Sequence, residues 1–282
     1  MRPRALRAPI VALLLAAAVV AAVAAIASSA TSPAIQTSTP RSERDITNID
    51  MLRQQIRNYY GDPLGTGVFG PDSNYADEAE SVAATGSRYL AAREKHPKKA
   101  AHGRPAIVLD VDDTSLATWN YEIFSNWAFN PTTNGQFVTD QKFPAVPGMV
   151  AMATAAAGEG YAVFFLTGRG AAQEAATLGN LTGDGVGEDA GFPAPTALVN
   201  GEDGLFTKPA PADYPDYLKA ACATEIANAM SCTTIHYKSA TRAHIESLGY
   251  DIVANFGDQF SDLKGGFADR RFKLPNPNYF LP

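Results

Sequence analysis

Between residues 106 and 258 short apolar runs alternate with segments of helical spacing, and this alternation constrains the fold more than any other feature. The run "YAVFFLT" (161–167) is apolar without a break. A strand that reads so is buried on both faces, as in sheets covered by helices on each side. "AIVLDV" (106–111), the weaker "PTALVN" (195–200), "TTIHY" (233–237) and "YDIVANFGD" (250–258) read as further strands. "GMVAMATAAAGEG" (148–160), "RGAAQEAATLGNL" (169–181), "PDYLKAACATEIANAM" (215–230) and "SATRAHIESLG" (239–249) read as helices. The series predicts an α/β fold with a parallel sheet. Two helices precede its first strand. One has Ile46, Ile49, Leu52 and Ile56 at helical spacing within 45–60, and the other covers 74–94.

In such sheets ligands sit beyond the carboxyl ends of the strands. Polar residues gather there in this chain. Asp110 and Asp112 end the first strand, Thr167, Gly168 and Arg169 the second, Lys238 follows "TTIHY", and Asp258 ends "YDIVANFGD". "DVDDT" also holds Asp113, so three carboxylates fall within four positions. Like charges so close repel, and burying them unpaired is costly. They belong either to a solvated turn or to a site that holds something. Company at three other strand ends favours the site.

The chemistry follows from residue types. A carboxylate such as Asp110 can attack an electrophile and form a covalent intermediate. Asp112 can give a proton to the leaving group and take one from water. Asp110, Asp258 and Asp262 are all-oxygen ligands, which suit magnesium better than zinc. Lys238, Thr167 and the Gly168 amide are donors for an anion such as phosphate. Together they describe metal-assisted phosphoryl transfer to an aspartate.

These stretches resemble the motifs of the haloacid dehalogenase (HAD) superfamily. "DVDDT" resembles its DxDxT motif, "LTGR" the second motif, "YKSATR" the lysine motif and "GDQFSD" the acidic fourth motif, in the family's order. "YKS…GDQFSDL" and the tail "FKLPNPNYF" resemble the branch of class B and C secreted acid phosphatases and plant vegetative storage proteins. The resemblance implies a Rossmann-like HAD fold over residues 45–282. It comprises a helical N-terminal segment (45–104), the sheet domain and a small lid at 117–146. It implies that Asp110 is the phosphorylated nucleophile and Asp112 the general acid and base. Thr167, Gly168 and Lys238 would bind the phosphoryl group. Asp110, the Asp112 carbonyl and Asp258 would hold Mg2+, with Asp262 in support. The family more often has Glu at the position of Asp113, and chain alternation would point Asp113 away from its neighbours. The implied activity is an exported Mg2+-dependent acid phosphatase acting on small phosphomonoesters. The rivals are a phosphotransferase to alcohol or nucleoside acceptors and a secreted storage or binding protein with vestigial activity.

The N-terminus bears on compartment. "MRPRALR", the apolar "APIVALLLAAAVVAAVAAIA" and Ser28-Ser29-Ala30 form a charged, an apolar and a cleavage region. Residues 1–30 therefore read as a signal peptide, with an uncleaved cell-surface anchor as the alternative and the only route to a membrane. Its removal takes away three arginines and no acid, moving the formal charge from −6 to −9. That balance argues against a nucleic-acid polymer as partner. Residues 31–44, rich in Ser, Thr and Pro, read as a disordered linker. In an exported chain Cys222 and Cys232, ten residues apart, read as a disulfide, the alternative being two buried thiols.

Other residues divide between roles. Arg169 either reaches phosphate or pairs with a surface acid. His236, within a strand-like run, reads as a core or sheet-face histidine. His96 and His102 lie in a basic connector, and "TGDGVGEDAG" (182–191) reads as a loop. Trp119, Tyr121, Phe124 and Trp127 either stack on a substrate ring or pack a lid. The long segment 207–232 has no assigned role.

Overall fold

The computed structural model describes residues 39–95 and 103–281. The signal segment 1–30, most of the linker, His96 and His102 lie outside the described residues.

The chain from Pro40 onward forms one compact unit. Helices α1 (Ile49–Tyr59) and α2 (Asn74–Lys95) precede β1 (Arg104–Leu109). Then come α3 (Trp119–Ser125), α4 (Pro131–Thr139), α5 (Met149–Gly158) and β2 (Ala162–Gly170). After α6 (Glu174–Thr182) follow β3 (Leu205–Lys208), α7 (Asp216–Ala221) and α8 (Ala223–Ala227). The last elements are α9 (Thr234–Ser247), β4 (Tyr250–Gly257), α10 (Phe260–Leu263) and β5 (Arg270–Lys273). The sheet order is β3-β2-β1-β4-β5 and every pair is parallel. The α/β expectation holds.

Strands β1 and β2 are central, so both their faces are buried, as the unbroken apolar runs require. One face carries Ile107, Leu109, Val163 and Phe165 against Leu90 of α2 and Met149 and Met152 of α5. The other carries Val108, Phe164 and Ile252 against Leu218 of α7 and Tyr237 and Ile245 of α9. Helix α2 comes close to the sheet through Gly86, where a Cβ would lie 2.7 Å from the Phe256 ring. A side chain there would drive the helix off the core.

Two expected strands are not strands. "TTIHY" begins helix α9 instead. Thr233 caps it, its hydroxyl accepting from the His236 amide at 3.2 Å. The buried residues Tyr237, Lys238, Thr241, Arg242 and Ile245 then recur with helical period. The β-branched threonines suggested a strand, but the cap and the buried stripe decide for helix. His236 is thus on a helix, exposed, with Nδ1 against Glu225 rather than in a core.

"PTALVN" hydrogen-bonds to β2 through Thr196. The Thr196 amide donates to Val163 at 2.8 Å and its hydroxyl accepts from the Val163 amide at 2.9 Å. The chain then turns, and the strand comes later as β3. Gly204, at φ 80°, allows this return, since a Cβ there would lie 2.3 Å from the Thr196 carbonyl oxygen.

Cys222 and Cys232 form the expected disulfide. Both are buried and pack with Tyr214 and Leu218, so the bond ties the segment before α9 to the core. Among the described residues no helix is long and apolar enough to cross a membrane.

Candidate active site

Register places the site. Leu109 pairs with Phe165 of β2 and Phe256 of β4, and the Asp110 amide donates to the Phe256 carbonyl at 3.0 Å. Asp110 therefore leaves the sheet between the ends of its two neighbours. The chain turns at once, with the Ser115 and Leu116 amides on the Val111 carbonyl at 2.9 and 2.8 Å. The Ser115 hydroxyl donates to the Asp110 carbonyl at 2.6 Å.

Asp110, Asp258 and Asp262 are buried and converge. Each offers one oxygen, and all three oxygens lie within 4.8 Å of one another. Lys238 stands among them. Its ammonium donates to Asp110 Oδ1 and, at 2.6 Å, to Asp262 Oδ1. Gly257 permits the approach, since a Cβ there would lie 2.5 Å from that of Asp262.

Negative charge exceeds positive here. Burial raises the Asp110 carboxyl above the usual carboxylate range, Lys238 opposes it, and Asp262 and Asp112 add to it. Burial also raises Asp258 strongly, helped by Asp262, Asp110 and Asp113. For Lys238 burial works against the charge, but Asp110 and Asp262 outweigh it and its pKa rises. Three carboxylates around one ammonium leave an excess that a divalent cation would relieve. The donors are all oxygen, which suits a magnesium-like ion. The residues present fit the metal.

Asp112 is paired with a different cation. The Arg169 guanidinium grips it, Nη2 to Oδ1 at 2.7 Å and Nε to both oxygens at 3.2 Å. Arg169 is held by Thr177 Oγ1 at 3.1 Å and lies over the Phe143 ring at 5.3 Å. Its partner is thus an acid of the site itself. Thr167 is buried in the last half of β2, where its hydroxyl accepts from the Arg169 amide at 3.1 Å, and Gly168 is exposed beside it.

Asp113 does not bind alongside its neighbours. It has φ 52° and is fully buried. Its carboxylate accepts from the Thr118 amide at 2.9 Å and the Thr118 hydroxyl at 2.6 Å. It ties the turn to α3.

Arg242 was not singled out in the sequence. It is fully buried and donates to the carbonyls of Asp262 (2.7 Å), Lys264 and Gly266 (2.9 Å). It holds the loop that carries two of the acids. The signal was present, since Lys238 and Arg242 stand four apart, but only a helix puts them on one face.

The aromatic stretch packs. Trp119 stacks on Tyr60 at 4.1 Å, and its Nε1 donates to Asp62 at 3.1 Å. Tyr121 is buried, while Phe124 is exposed.

Residues 26–282 match the sequence model of the HAD superfamily, subfamily IIIB (acid phosphatase). The chain belongs to the HAD subfamily IIIB acid phosphatases. Among relatives of this family, the stem 28 kDa glycoprotein of Glycine max is 28% identical over 212 residues, covering 73% of this chain and 70% of that one. Acid phosphatase 1 of Solanum lycopersicum is 31% identical over 189 residues, covering 64% of this chain and 60% of the relative. The class C acid phosphatase from Bacillus anthracis with tungstate bound superposes with a TM-score of 0.56 at 19% identity, over 81% of this chain and 85% of that one. That likeness concerns the fold.

Proposed function

We propose that the protein is an exported, magnesium-dependent acid phosphatase that hydrolyses small phosphomonoesters through a phosphorylated Asp110. The observation that carries this reading is the convergence of Asp110, Asp258 and Asp262 around Lys238 at the ends of the parallel strands. Bound metal would neutralise charge on the phosphoryl oxygens and bring them to Asp110.

The chain's own residues do the rest. An Asp110 carboxylate oxygen attacks phosphorus, and the bond from phosphorus to the ester oxygen breaks. Asp112 gives its proton to that oxygen, so the alcohol leaves neutral. Water then attacks the phosphorus of phospho-Asp110 while Asp112 takes its proton. Phosphate departs and the Asp110 carboxylate is restored. Lys238, with Thr167 and the Gly168 amide, offers positive charge and donors where the phosphoryl oxygens would lie. Proton donation to the leaving group in the first step predicts a rate that is highest in acid.

The stem glycoprotein relative and the disulfide support an extracellular setting, as does the N-terminal signal pattern. A storage role with vestigial activity is the second reading. Against it, Asp110, Asp112, Lys238 and Asp258 are all retained. The tungstate complex of the class C relative makes tungstate, a phosphate mimic, a natural inhibitor to try.

The test is phosphate release from an aryl phosphate with Mg2+, with EDTA, and with Asp110→Asn. Turnover should need Mg2+ and fall at least 1,000-fold in the variant, on the order of losses seen when a group central to the transition state is removed. Equal rates in EDTA, or a near-normal Asp110→Asn enzyme, would overturn the reading.

A further inference from the structure

The tail "FKLPNPNYF" has no role in the chemistry above, yet it ends at the site. Its Asn276 Nδ2 donates to Asp258 Oδ2 at 2.7 Å and lies 3.4 Å from Asp113 Oδ2. The orientation of this amide is fixed from behind, because Asn276 Oδ1 accepts from the Asn278 amide at 2.8 Å. With its oxygen engaged, the side chain must present its NH2 group to the carboxylates.

Gln259 makes the second contact. Its Nε2 donates to the same Asp258 Oδ2 at 2.7 Å, and its Oε1 accepts from the Leu281 amide at 3.0 Å. The tail is anchored further on. Asn278 Nδ2 donates to Tyr60 Oη at 2.9 Å, Trp127 Nε1 donates to Asn278 Oδ1 at 3.2 Å, and Ser261 Oγ donates to the Leu281 carbonyl at 3.3 Å. Two amides therefore occupy Oδ2 of Asp258. Among the described residues Oδ1 accepts only from the Thr114 hydroxyl, at 3.3 Å. A carboxylate tied by one oxygen and open at the other is turned for a ligand, and partners that orient metal ligands set affinity as the ligands do.

We propose that residues 276–281 are a strap that turns Asp258 for metal binding, with Asn276 as its positioning residue. The inference rests on the metal reading above. It makes residues 276–281 a determinant of Mg2+ affinity through Asp258, while the ligands would be Asp110, Asp258 and Asp262.

The experiment is calorimetric titration of the full chain with Mg2+, for the wild type, Asn276→Ala and Asn276→Ser, with the melting temperature of each in EDTA. The Ser hydroxyl can accept from the Asn278 amide but is too short to reach Asp258, so both variants should behave alike. The dissociation constant for Mg2+ should rise at least about ten-fold. The metal-free melting temperature should stay within about 4 °C of the wild type. A wild type that binds no Mg2+ would contradict the functional reading itself. A wild type that binds, with variants within two-fold of it, contradicts the strap alone. So does a loss of binding in both variants that merely follows loss of the metal-free fold.

Discussion

Three aspartates in "DVDDT" have the same side chain and three different environments. Asp110 is buried against Lys238, Asp112 is held by Arg169, and Asp113 is a structural tie at positive φ. Sequence alternation aimed Asp113 away from its neighbours, but the chain leaves the strand before that rule applies. A turn residue answers to its own hydrogen bonds, here those from Thr118. Arg169 poses a sharper question, because its two-pronged grip on Asp112 gives it a positioning role that phosphate binding would not. Asp112 matters most when the leaving group needs a proton. Arg169→Ala should therefore lower kcat/KM at least ten-fold more for an alkyl phosphate than for an aryl phosphate with an acidic leaving group. Equal losses on both would mean that Arg169 acts on the phosphoryl group instead.

Elements were legible where burial repeats along the chain. The apolar runs at the centre of β1 and β2 could hardly fold otherwise. Short segments were not, because five residues cannot distinguish a strand from the first turn of a helix. For that reason "TTIHY" reads as a strand while it folds as the start of α9, and as a strand it leaves Arg242 off the face of Lys238. Helix α3 carries a group that no motif marked. Its Glu122 is buried, and burial, with Asp113 and Asp112 nearby, pushes its pKa up to about 8. The folded state thus holds this proton more tightly than the unfolded chain does. The resulting stability is fully present below the ordinary glutamate range and is lost as pH rises toward 8. Glu122→Gln cannot lose it. Wild type and variant should melt close together at pH 4, and the variant should melt higher at pH 8. A gap that does not change with pH would contradict this.

For the whole molecule, the strand ends bring residues from distant parts of the sequence to one place. Asp110 and Lys238 are 128 residues apart, and Asn276 and Asp113 are 163 apart. Motif order made the first of these legible. The second was not, since nothing in the local pattern of "PNPNYF" shows that the tail folds back over the site. The central claim is that a phosphoryl group passes through Asp110. Its most direct test is rapid acid quench during turnover, followed by peptide mass mapping. One phosphoryl group on the peptide containing Asp110, absent when EDTA is present, is the predicted result. Continued turnover with no adduct, or an adduct on a different residue, would contradict it.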